Sequence, residues 1–137
     1  MEPEMAKLFA ELDPAVYVLD CLPNMSAAEV AERVVPFVEV LRQAHPETPI
    51  LLVEDRSYTD AFLVAAKRQR NTDSRAALRA AYNRLTDAGT KHLAYLTGED
   101  LLGDDGEGTV DSSHPTDLGF VRQADAFEQA LRPLLPK

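Results

Sequence analysis

At 137 residues, with 45% hydrophobic and 27% charged side chains, the chain has the size and composition of one globular domain spanning residues 1–137, built on a single core. Its 23 carboxylates outweigh 14 basic side chains for a net charge of −9, and no Lys/Arg cluster offers a footprint for phosphate backbones, which argues against nucleic acid as a partner. A lone cysteine excludes an internal disulfide framework, no apolar run approaches the ~20 residues of a bilayer span, and Met1-Glu2-Pro3-Glu4 lacks the basic start of a signal peptide, so the chain as it stands is expected in the cytoplasm.

Met5, Leu8, Phe9 and Leu12 recur at helical spacing behind Pro3 and predict a short amphipathic helix, ended by Asp13-Pro14. Ala15-Val16-Tyr17-Val18-Leu19 is a near-continuous apolar run, too short for a helix, and reads as a strand covered on both faces. The loop Asp20 to Met25 follows. Ser26 and Glu29 have the spacing of a capping box, and Val30, Val34, Phe37, Val38 and Leu41 form the apolar face of a second helix that Pro36 should kink.

Ile50-Leu51-Leu52-Val53 is a second buried strand, running into the polar loop Glu54-Asp55-Arg56-Ser57-Tyr58. The pattern from Thr59 to Arg70 is mixed and reads as irregular, with room for a helical piece. A third helix is expected from about Asp73 to Ala88, with Leu78, Ala81, Tyr82 and Leu85 inward and Gly89 as its stop. His92 to Leu96 gives a third strand. A long acidic loop, Thr97 to Pro115, leads to a last helix capped by Thr116, with Phe120, Ala124, Phe127, Leu131 and Leu134 as its stripe.

This alternation predicts an α/β fold: a three-layer α/β/α domain around a parallel sheet with right-handed crossovers. Three parallel strands are few for such a domain, and the first would leave an apolar edge open, so at least one βα unit is expected to be missing upstream. An oligomer that covers the edge is the competing explanation.

In open α/β sheets, sites form beyond the carboxyl ends of the strands. That rule selects Asp20 to Met25, Glu54 to Tyr58 and Thr97 to Pro115, and so brings Asn24 to the same end of the sheet as Asp111 and His114. An Asp that orients a His, with an amide to meet a developing oxyanion, is the machinery of acyl transfer.

Asp111-Ser112-Ser113-His114-Pro115, just before the last helix, resembles the final Asp-x-x-His motif of the SGNH, or GDSL-like, hydrolase family. The family's Gly-x-Asn-Asp motif is matched at Asn24 within Leu22-Pro23-Asn24-Met25, while Leu22 and Met25 depart from it. The resemblance runs from about Ala15 to the C-terminus. It implies a flavodoxin-like SGNH fold and hydrolysis of a small-molecule carboxylic ester through an acyl-enzyme, without cofactor or metal. His114 would be the general base, Asp111 its orienting acid and Asn24 an oxyanion donor. The family's Gly-Asp-Ser motif with the nucleophile, and the motif supplying a glycine amide, have no counterpart here, so both are expected upstream and the chain alone should turn over little or nothing.

Other readings compete at several positions. Asp-x-x-His before a helix also fits a capping arrangement, and Asn24 an Asx-turn. A binding or oligomerisation module on the same fold is the alternative to an enzyme. Ser26, Ser112 and Ser113 read as cap and turn residues, Cys21 as a small hydrophobe rather than a thiol nucleophile, and Asp104 to Gly108 as a solvated loop rather than a Ca²⁺ site. His45 and His92 read as structural. Arg56 and Tyr58, with Glu54 and Asp55, occupy the middle loop, where they either contact substrate or pair among themselves.

Overall fold

The structure, a computed structural model, describes residues 1–99 and 101–135. Its elements in chain order are α1 (Pro3–Phe9), β1 (Tyr17–Leu19), a 3₁₀ turn (Leu22–Asn24), α2 (Ala27–Ala44), β2 (Ile50–Val53), α3 (Ala65–Asp87), β3 (Leu93–Leu96) and α4 (Asp117–Leu131). The strands form one parallel sheet in the order β1-β2-β3, with Val18 beside Leu51 and Leu51 beside Ala94.

Because strand side chains alternate, the register sorts them into two cores. Tyr17, Leu19, Ile50 and Leu52 face one way, onto Val30, Val34, Val38 and Leu41 of α2 and Leu78 and Leu85 of α3. Leu51 and Val53 face the other way, onto Leu101, Leu102 and the α4 residues Phe127 and Leu131. Helices thus cover both faces, as the alternation of elements predicts. The capping box on α2 is present: the Glu29 backbone N–H donates to Ser26 Oγ and the Ser26 backbone N–H to Glu29 Oε2. Thr116 caps α4 through the Gly119 N–H.

Three expectations need correction. The first strand is not covered on both faces: Val18 is 37% exposed, because α4 lies over β2 and β3 and leaves the β1 side of its face open. The first helix stops at Phe9, short of Leu12. Side chains meet the carbonyls there: the Tyr17 hydroxyl donates to Phe9 (2.8 Å), which also accepts the Leu12 N–H (3.0 Å), and to Leu12 (3.2 Å), and the His45 ring lies 2.9 Å from that of Ala10.

The third helix begins at Ala65, so much of the stretch expected to be irregular is helical. Its inner face keeps helical spacing throughout, but its first members, half-buried Lys67 and Arg70 and buried Asn71 and Ser74, are polar, which hides the period from a hydrophobicity reading. Helix α2 runs through Pro36 to Ala44, and the proline sits on the exposed side of the helix.

Candidate active site

All three strands end at the same edge of the sheet, and the loops that follow them carry the candidate residues. After β1 the chain closes into the 3₁₀ turn, with the Asn24 N–H on the Cys21 carbonyl and the Met25 N–H on that of Leu22, both at 3.1 Å. Leu22 and Met25, the positions that depart from the family pattern, are buried anchors on either side of an exposed Asn24. The Asn24 side chain makes no hydrogen bond among the described residues and is free to donate outward.

The loop after β3 folds back on itself before α4. Thr109 and Pro115 form an antiparallel bridge, and the Val110 N–H donates to the His114 carbonyl at 2.9 Å, leaving residues 111–113 as a tight tip. Ser112 turns that tip with φ of 74°.

Asp111 does two things there. Its Oδ1 accepts the backbone N–H groups of Ser113 (3.0 Å) and His114 (2.8 Å), while its Oδ2 meets His114 Nδ1 at 2.6 Å. The same carboxylate thus closes the turn and meets the imidazole, and the turn is what aims it at the ring. Those bonds, the His114 N–H first, hold the Asp111 carboxyl well below the usual carboxylate range. With Nδ1 engaged, His114 presents Nε2 outward from a side chain that is 72% exposed. That is the orientation of a general base waiting for a hydroxyl proton.

The middle loop supports the other two. The Arg56 Nε donates to the Ser113 carbonyl and its Nη2 to Ser113 Oγ at 2.9 Å. Lys67 donates to Ser112 Oγ and to Asp60, each at 2.6 Å, and the Thr59 N–H donates to the Ser112 carbonyl at 3.0 Å. Both spacers of the Asp-Ser-Ser-His run are thus anchored by side chains from elsewhere in the chain. The Tyr58 hydroxyl accepts from Arg70 Nε at 3.0 Å, and Arg70 also holds the carbonyls of Pro23 and Met25. Glu54 turns away from the site to Tyr95 Oη (2.6 Å) and the Gly98 N–H (3.0 Å). Lys67 and Arg70 are absent from the sequence reading, and only the polar helical period of α3 would have found them.

The remaining candidates separate cleanly. Burial pushes the Cys21 thiol up, which disfavours a thiolate. His45 caps the chain leaving α1 and His92 pairs with Glu47 at 3.1 Å. Asp105 in the acidic loop is held bidentately by Arg122 (2.7 and 2.6 Å), and among the described residues no His, Cys, Asp and Glu group could hold a metal ion. No helix there is long and apolar enough to cross a membrane.

The sequence model of the GDSL-like lipase/acylhydrolase family matches residues 1–132. Among solved structures, a GDSL-like lipase from Bacteroides ovatus ATCC 8483 is similar, with 34% identity and a TM-score of 0.93 over 98% of this chain and 40% of that one. The salicylyl-acyltransferase SsfX3 of a tetracycline biosynthetic pathway has a similar fold, at 21% identity and a TM-score of 0.75, over 97% of this chain and 41% of its own. The chain thus spans well under half the length of either structure. No curated protein matches.

Proposed function

Because this chain belongs to the GDSL-like lipase/acylhydrolase family, we propose that it carries the acid-base half of a serine esterase site that hydrolyses a small-molecule carboxylic ester through an acyl-enzyme. The single observation behind this reading is the 2.6 Å contact between His114 Nδ1 and Asp111 Oδ2, with the other face of the imidazole open.

A nucleophilic serine supplied from outside these residues attacks the ester carbonyl carbon. His114 Nε2 takes its proton and returns it to the departing alcohol, while Asp111 stabilises the imidazolium between the two steps. Asn24, whose side-chain amide is uncommitted, donates to the oxyanion. Water then enters by the same route, activated by His114, and releases the acid.

The open side of β1 supports a second part of the same reading. The groove between β1 and α4, lined by Asp20, Phe120, Gln123, Ala124 and Phe127, is where a further parallel strand of a flavodoxin-like sheet bearing the serine would pack. The test is hydrolysis of p-nitrophenyl acetate. The chain alone should give little or no turnover. Joined to the part of the Bacteroides ovatus lipase that it does not cover, it should hydrolyse the ester, with His114→Ala lowering the rate by about 10²–10⁴. Undiminished hydrolysis in His114→Ala would sink the proposal.

A further inference from the structure

Arg70 points three nitrogens at two loops. Its Nη2 donates to the carbonyls of Pro23 (2.7 Å) and Leu22 (3.4 Å), its Nη1 to that of Met25 (3.1 Å), and its Nε to the Tyr58 hydroxyl (3.0 Å). The three carbonyls are those immediately around Asn24. Arg56, from the same segment as Tyr58, holds Ser113 by its carbonyl and its hydroxyl, one residue before His114. Between the two arginines the segment is pinned by buried Asn71, which donates to the Arg56 carbonyl at 3.0 Å and accepts the Tyr58 N–H at 3.1 Å. A continuous run of hydrogen bonds therefore joins the Asn24 turn to the His114 tip, passing through residues 56–58.

We propose that Arg56 and Arg70 are positioning residues for acyl transfer, which together set the spacing between the oxyanion donor and the general base. The proposal rests on the esterase reading for its purpose and on the hydrogen bonds for its geometry. A planar guanidinium is suited to the task because it spans two or three acceptors in fixed directions, which an ammonium cannot do. Acyl transfer needs that rigidity, since a displacement of about 1 Å between reacting groups costs on the order of 10²-fold in rate. Asp55, 2% exposed, has its Oδ1 4.0 Å from Arg56 Nη1; burial raises its carboxyl, and the neighbouring Arg56, Arg70 and Arg75 guanidiniums pull against that rise.

The experiment compares Arg56→Ala, Arg56→Lys, Arg70→Ala and Arg70→Lys with the parent 137-residue chain by NMR. It reads the titration of the Asp111 carboxyl and the hydrogen exchange of the Asn24 and Met25 amides. In Arg56→Ala the Asp111 midpoint should climb toward the ordinary ~3.9, because the Ser113 and His114 N–H bonds that depress it loosen. In Arg70→Ala the two amides should exchange about tenfold faster or more, with the Asp111 midpoint less affected. Lysine should restore each property in part.

A role confined to stability predicts otherwise, with exchange accelerated throughout the chain and the Asp111 midpoint fixed, and that pattern would overturn the proposal. If an alanine variant does not fold, its lysine counterpart decides: parent-like values in a folded Arg56→Lys and Arg70→Lys would also overturn it. In the joined enzyme the lysine variants should lower kcat with KM little changed. Loop effects as described, accompanied by no His114-dependent hydrolysis, would count against the esterase reading and leave the clamp standing.

Discussion

At the scale of single residues, the protonation of Asp111 is the most exposed consequence of the site's geometry. Its folded pKa is lowered by hydrogen bonds from His114 and Ser113. A group depressed in this way contributes stability that is present above its unfolded value, about 3.9, and is lost as the pH falls through the folded value. The dyad should therefore survive mild acid intact, and a carbon-13 titration of the Asp111 carboxyl should place its own midpoint below the ordinary ~3.9. A midpoint at the ordinary value would mean that the turn does not form. Asp111 and His114 were legible in the sequence because their spacing is local: a turn of four residues makes the contact by itself. Arg56 was found by position but its task was not, because its partner Ser113 is 57 residues away and nothing in either segment announces the other.

Among the elements, the N-terminal end of α4 fixes where His114 stands, and it does so through close backbone approach. A Cβ built on Gly119 would meet the Gly108 carbonyl oxygen at 2.1 Å, and the same carbonyl accepts the Thr116 N–H at 3.0 Å. Gly119→Ala has to push the helix away from the 107–108 turn, so it should cost about 1–3 kcal/mol in urea unfolding and shift the His114 resonances. Ser26→Ala, which removes the cap of α2, should cost about 0.5–2 kcal/mol and leave those resonances in place. Equal His114 shifts in the two variants would dismiss the contact as the determinant. The caps of α2 and α4 were readable because capping chemistry is local. The true start of α3 was not, since Lys67, Arg70 and Asn71 are polar and serve loops that the sequence does not connect to them.

For the whole molecule, the open question of the sheet becomes an open edge. On one side β1 is paired to β2, with Leu19 beside Leu52; on the other, no strand among the described residues pairs with it. Val18 lies exposed at that edge, and α4 adds Phe120 at 60% and Val121 at 59% exposure. Unpaired edge groups beside apolar surface recruit another strand. The order of the elements foretold the three-stranded parallel sheet, but not which face would be bare, because that depends on where α4 crosses the sheet. We expect the isolated chain to self-associate through β1 at micromolar concentration and above. Val18→Lys should make it monomeric, since a charge placed inward at an edge strand opposes pairing. Sedimentation of the two proteins decides the matter. A parent chain that stays monomeric at high concentration would show that this edge needs no cover. If the serine-bearing strand is the edge's proper partner, joining it to the chain should abolish self-association without any substitution. The two arrangements compete for the same backbone groups, so an oligomer that persists in the joined protein would place its interface elsewhere.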